Sequence, residues 1–328
     1  MNSRTFKRLL ALAGFIGLTG AAMAQSTQLK IQDYPGMAGT VTRVAIEKGY
    51  CARQGLECVL QTIPSAPLGM QTLLSGGIDL AAVAPEVAIQ AAIKGADIKV
   101  VGGMLNANSL MLFFGASLAG AVDQGYPAML QALKGRKVGV VARGSAAEFQ
   151  LKTMLQDAGL KIEDVTVVAV GAPNTAYPAL VNAQIDAVVS FTPVDGFCDV
   201  LKTCRIAVAT FTGKGPAALT RMNGVGSVYV VRRDAPPATA AAVDRYVQAA
   251  REAERFIADP ANADEVFRIT SKYYKLDMAR GDEIVKSSLL RFTPHFKAGV
   301  SKDALQAAAD YLLQTGQIDK PFNTGKMF

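Results

Sequence analysis

The stretch Leu73–Pro85 reads LLSGGIDLAAVAP and returns 107 residues later as Leu180–Pro193, LVNAQIDAVVSFTP. Each copy has a helix-like end, a Gly or polar turn, Ile-Asp, an apolar run, and proline one or two residues beyond it. One such unit is an ordinary helix–strand connection. Two, each set in similar helix–strand material, predict two α/β lobes on one plan, and a small molecule held in the cleft between them.

The strands fit this reading. Apolar runs at 29–34, 59–63, 78–83 and 98–101, and again at 137–142, 165–170, 185–191 and 206–209, are bounded by Gly and Pro and alternate with helical segments. Continuous apolar runs of that length suit strands buried on both faces of a mostly parallel sheet. Leu110–Phe114 either ends the first sheet or crosses to the second, and Gly224–Val231 reads as a strand returning to the first. Beyond it, Val243, Tyr246, Val247, Ala250 and Ile257 keep a helical period, as do Leu305, Ala308, Ala309 and Leu312. The expected organisation is a leader at 1–24, the first part of lobe 1 at 25–115, lobe 2 at 116–214, and 215–328 as the return to lobe 1, its helical tail packed there.

The leader reads as a secretory signal peptide. Arg4, Lys7 and Arg8 precede a short apolar core, and Ala22-Met23-Ala24 supplies a cleavage site, so the mature chain is expected to be exported and to begin at Gln25. Half the residues are apolar and 19% charged, which suits a folded globule. After loss of the leader, 31 basic residues stand against 27 acidic ones, a formal +4 with the basic residues scattered. That is not the concentrated stripe of a nucleic-acid binder. Cys51 with Cys58, and Cys198 with Cys204, read as two local disulfides, one per lobe. Without a CxxC spacing and with His295 as the single histidine, a metal site is not expected.

Open α/β sheets bind ligands beyond the carboxyl ends of their strands. Five such ends are candidates. After KVGVVA, Gly144 and Ser145 open a helix, with Ser145 as N-cap and Glu148 placed for a capping box; the free amides of such an end suit an anion. Tyr34 to Ala38 follows the first strand, Asn106 to Ser109 the fourth. Ala84-Pro85-Glu86 and Ser190-Phe191-Thr192 end the two echoed units. Asp79 and Asp186 sit at the opposite end of their strands, where turn hydrogen bonding is the expected role. Catalytic signatures are missing: His295 is remote, paired cysteines leave no thiol nucleophile, Gly213-Lys214-Gly215 is no P-loop, and Gly224-Val225-Gly226 lacks the third glycine of a dinucleotide fingerprint. No enzyme activity and no cofactor are expected.

Glu47-Lys48-Gly49-Tyr50 before Gly55-Leu56-Glu57-Cys58-Val59, then Gly-Gly-Ile-Asp-Leu-Ala, then Val-Gly-Val followed by Gly-Ser, resemble in order and spacing one family over residues 29–230. It is the periplasmic substrate-binding proteins of ABC importers for nitrate, alkanesulfonates and taurine, with relatives that bind the pyrimidine precursor of thiamine. The resemblance implies the two-lobed type II periplasmic-binding-protein fold, a monomer, and delivery of a small organic anion, a sulfonate or carboxylate, to an inner-membrane permease with its ATPase. It implies a pocket of Pro35, Gly36, Met37, Ala84, Pro85, Glu86, Gly144, Ser145, Ser190, Phe191 and Thr192, to which Asn106 and Ala146 are added by position. Two residues depart from the pattern: Ala146 stands where sulfonate binders often carry a hydroxyl, and Glu86 would repel a simple oxyanion. No tryptophan is present for stacking; Tyr34, Phe114, Tyr177 and Phe191 are the aromatic candidates. An enzyme resembling pyrimidine-precursor synthases, or a periplasmic sensor, are the alternative readings on the same fold.

Overall fold

The computed structural model describes residues 26–328, so the leader at 1–24 lies outside the described residues. In chain order the first sheet's elements are β1 (Thr27–Asp33), α1 (Thr40–Glu47), α2 (Tyr50–Arg53), β2 (Leu56–Thr62), α3 (Ala66–Leu74), β3 (Ala81–Val83), α4 (Pro85–Ile93) and β4 (Ile98–Leu105). There follow β5 (Met111–Gly115), β6 (Lys137–Val140), α5 (Ala146–Asp157), β7 (Thr166–Ala169), α6 (Pro173–Val181), β8 (Ala187–Ser190), α7 (Val194–Leu201) and β9 (Cys204–Ala209). The chain ends with α8 (Ala217–Thr220), β10 (Ser227–Arg232), α9 (Pro237–Ala258), α10 (Ala263–Tyr273), α11 (Gly281–Phe292) and α12 (Lys302–Gln314).

The two sheets repeat one another position by position. The second runs β7-β6-β8-β5-β9. The first pairs β1 with β2 and β3-β10-β4, and an Ile31–Leu80 bridge joins these halves into the order β2-β1-β3-β10-β4. In each sheet one strand runs against the rest, and it is the one that arrives from the other side: β10 between β3 and β4, β5 between β8 and β9. The β5 strand thus belongs to the second sheet, and the first passage between sheets lies at 106–110, a few residues before the expected boundary after 115. The return runs through 210–226.

The echoed Ile-Asp pairs explain part of this correspondence. Asp79 accepts a hydrogen bond from the Lys30 N–H at 2.8 Å, while its own N–H donates to the Lys30 carbonyl. Asp186 does the same with Lys137, at 3.0 Å. Each aspartate therefore pins its own strand's start to the neighbouring strand, at the middle of β1 and at the first residue of β6, a longer-range task than the turn bonding expected of it.

Alternate residues of the strands enter different cores. Ala81, Val83, Leu112, Phe114, Val228 and Val230 join one buried cluster, while Leu80, Ala82, Met111, Phe113, Tyr229 and Val231 join the other. That is the period of two expected for strands covered on both faces. Each cluster draws residues from both sheets, so apolar packing is continuous across the molecule.

Most of the C-terminal tail covers the first sheet: α9 lies on α1, α2 and β1, and α12 on α4. The α11 helix instead reaches α7 of the second sheet. There the fully buried Asp195 accepts from the Ser288 hydroxyl at 2.8 Å and pairs with Arg291 at 2.9 Å. Gly196 permits the approach, since a Cβ on it would lie 2.3 Å from the Ile284 carbonyl oxygen. Both cysteine pairs, Cys51–Cys58 and Cys198–Cys204, are disulfide-bonded. Among the described residues, no helix is long and apolar enough to cross a membrane.

Candidate functional site

A cleft opens where the strand ends of the two sheets meet. The cavity between its walls measures about 70 Å3. Five residues expected there line it: Ala84, Glu86, Ser145, Ala146 and Phe191. Eight do not: Pro35, Gly36, Met37, Pro85, Asn106, Gly144, Ser190 and Thr192.

The loop after β1 shows why. Arg43, on α1 and only 1% exposed, donates to the carbonyls of Gly36 (2.6 Å) and Tyr34 (2.8 Å) and pairs with Asp33 at 3.0 Å. This drawn-in loop sends Met37 into the core and leaves its two ends, Tyr34 and Ala38, facing the cleft. Gly36 meets the opposite wall instead: a Cβ there would lie 2.7 Å from the Thr192 carbonyl oxygen and 2.9 Å from the Phe191 ring. Tyr34 and Phe191 stack edge-on across the same gap, centroids 5.8 Å apart.

On the first wall, Pro85 occupies the first turn of α4, where its missing N–H is harmless. Glu86 follows, 1% exposed. One oxygen accepts from the Gln150 side chain at 2.8 Å; the other is buried without a partner among the described residues. Burial pushes its carboxyl above the usual range, with the Gln150 hydrogen bond pulling the other way.

The opposite wall is the start of α5. The capping box does not form. Ser145 donates its hydroxyl backwards to the Ala142 carbonyl at 2.7 Å, and Glu148 accepts from the Gly144 N–H at 2.6 Å. Gly144 has a positive φ of 70° and no neighbour near its Cβ position, so it serves the turn and stands clear of the cleft. The consequence lies one residue on. Because neither Ser145 nor Glu148 takes them, the N–H groups of Ala146 and Ala147 meet no acceptor among the described residues, although both residues are buried and line the cleft.

A hydrogen-bond network closes the floor. Asn108, in the first passage between sheets, donates to Gln150 and to Thr210 of the return passage, both at 2.8 Å, and accepts from Gln150 (3.2 Å) and the Leu110 N–H (3.2 Å). Gln150 donates in turn to Glu86, so four residues join both passages and both walls. Asn106 turns the other way, onto His295 at 3.2 Å. Burial lowers the His295 pKa, and the ring lies outside the cleft. Ser190 is wholly buried at the end of β8, its hydroxyl without a partner among the described residues, and the buried Thr192 sets its carbonyl against Gly36 and does not line the cleft. Sequence reasoning missed Gln150, Ser227 and Met222, all cleft-lining. Gln150 is one turn into a helix whose start was identified, and that spacing was the available signal. Among the described residues, no Lys, Arg or His lines the cleft.

Residues 39–263 match a family model described as NMT1/THI5 like. A Brucella abortus protein, described only provisionally as a binding protein, is 25% identical over 98% of this chain and 96% of its own. Among solved structures, the alkanesulfonate-binding protein SsuA of Xanthomonas axonopodis, bound to MOPS, superposes with a TM-score of 0.71 at 18% identity, covering 92% of this chain and 97% of that one. The periplasmic nitrate-binding protein NrtA of Synechocystis gives 0.69 at 15% identity, covering 92% and 84%. These likenesses show the two-lobed periplasmic-binding-protein fold.

Proposed function

Because the chain belongs to the NMT1/THI5-like family, we propose that it is the periplasmic solute-binding component of an ABC importer, clamping a small organic anion between its lobes and handing it to a membrane permease with its ATPase. The observation that carries this reading is the pair of unbonded amides of Ala146 and Ala147 at the head of a 12-residue helix, inside a cleft shared by both sheets. A helix N-terminus attracts negative charge and offers donors already in place. The rest of the lining is largely apolar, with Tyr34, Leu110, Val141 and Phe191 suited to a short carbon skeleton. The anion is therefore a carboxylate or sulfonate on an organic body. The reading is of a binding protein without catalysis, and the position of His295 outside the cleft and the pairing of all four cysteines support it. Export to the periplasm, with the leader at 1–24 removed, and action as a monomer complete the reading.

Native mass spectrometry of freshly purified protein, followed by calorimetry with sulfonates and carboxylates, tests the ligand class. Ala146→Pro isolates the amide. Proline is tolerated at the first helical position, so the helix stays while one N–H is lost. A hydrogen bond to a charged group is worth about 1.5–3 kcal/mol, so affinity for the acid should fall by about 10- to 150-fold at unchanged melting temperature. Unchanged affinity would sink the anion-holding role of α5.

A further inference from the structure

Glu86 has no task in holding an anion, and as a carboxylate it would oppose one. Its burial is deliberate nonetheless: it is 1% exposed, lines the cleft, and keeps one oxygen without a partner. The neighbouring wall repeats the pattern. Ser227 also lines the cleft, is buried, and has an unpartnered hydroxyl. The two belong to one edge, because Val83 of β3 pairs with Val228 of β10, placing Glu86 and Ser227 just beyond the same end of that strand pair. Among the described residues, no basic group neutralises this edge. Both amide hydrogens of Gln150 are committed, to Glu86 and to Asn108, and no basic side chain lines the cleft.

The two walls are thus complementary opposites: unused donors on α5, unused oxygens beside β3 and β10. We propose that Glu86, assisted by Ser227, receives a protonated nitrogen of the ligand, so that the solute is a short amino acid or aminosulfonate, its acid group on the α5 amides and its ammonium on the first-lobe wall. This rests on the anion-clamping reading above and adds the second charge. A bound ammonium removes the cost of a lone buried carboxylate, whereas a purely anionic ligand adds to it. Charge-assisted hydrogen bonds of this kind also give direction, fixing which end of the solute enters which lobe.

The test pairs each acid with its amino derivative: propanoate with β-alanine, butanoate with γ-aminobutanoate, ethanesulfonate with aminoethanesulfonate. Titration calorimetry on the full mature chain should show the amino member of at least one pair binding on the order of tenfold tighter or more. Glu86→Gln should bring the ratio within that pair towards one, and Ser227→Ala should reduce it less. Ser227→Ala also serves if Glu86→Gln does not fold, since the preference must still shrink. Tighter binding of the plain acids overturns the inference and leaves the importer reading standing. Binding of neither member in any pair overturns both. Amino-ligand preference unaltered in both variants overturns the assignment to this wall.

Discussion

Gly36 sits at the seam between the two lobes, and Gly36→Ala should weaken ligand binding while barely changing the stability of the ligand-free chain. Its backbone is not in the left-handed region, so an alanine is acceptable locally. The added Cβ would come within 2.7 Å of the Thr192 carbonyl oxygen and 2.9 Å of the Phe191 ring, both across the cleft. Ordinary contact begins near 3.5 Å, so the walls must part by about 0.5–1 Å. Forced overpacking of this kind costs about 1–3 kcal/mol. If the lobes close by a hinge motion around ligand, that cost falls on the closed state alone, and Kd should rise by about 5- to 160-fold. Calorimetry with the acid found by native mass spectrometry measures this, with thermal unfolding of the ligand-free protein as the control. An unaltered Kd refutes the reasoning. So does a ligand-free melting temperature lowered by more than about 3 °C, because the seam would then be a fixed part of the core.

Three further outcomes follow from the same geometry. Asn108→Ala removes four hydrogen bonds and strands Thr210 and Gln150; at about 1 kcal/mol net per bond, a loss of about 2–4 kcal/mol should appear in chemical denaturation, and a loss under 1 kcal/mol would mean the network is dispensable. Glu86 is raised by burial, so its contribution to ligand-free stability is full below the ordinary carboxyl value of 4.5 and is lost as pH rises through the raised value. Melting temperature across that window should fall with pH in the parent and vary less in Glu86→Gln; parallel profiles would contradict the burial argument. Reducing both disulfides, each closing a loop of only six or seven residues, should cost about 2–3 kcal/mol apiece without changing ligand affinity, as read by calorimetry in the presence and absence of reductant.

The architecture was legible because it is written in periodicity. Buried two-faced strands show as unbroken apolar runs, and the Ile-Asp echo marks equivalent strand starts in both sheets, down to the matching bonds of Asp79 with Lys30 and Asp186 with Lys137. The site was half legible. Strand ends locate the cleft, but which residue near each end faces it is set by tertiary contacts: Arg43 draws Gly36 and Met37 inward, and in the irregular passage at 106–110 Asn106 turns to His295 and Asn108 to the floor. The capping box at Ser145 and Glu148 failed for a similar reason. Gly144 in its left-handed turn presents its own N–H to Glu148, and the Ser145 hydroxyl turns back to the Ala142 carbonyl, so no side chain caps the helix head. Beyond its place one turn into α5, Gln150 carries no signal in the sequence, because its importance comes from partners 42 and 64 residues away.

The α11 helix has a mechanical consequence. Seated on α7 by Gly196 and by the buried Asp195 paired with the part-exposed Arg291, it packs with the second sheet, yet the chain on either side of it returns to the first, through α10 and through Phe296 beside Leu105. The lobes are therefore tethered at a second place, away from the 106–110 and 210–226 passages. Two bodies joined at separated points cannot swing wide. Their stroke is limited to what the short spans at 274–280 and 293–297 can pay out, which favours a narrow twist over a gaping jaw. In the importer reading proposed above, the permease would read a small rotation of one lobe's rim against the other.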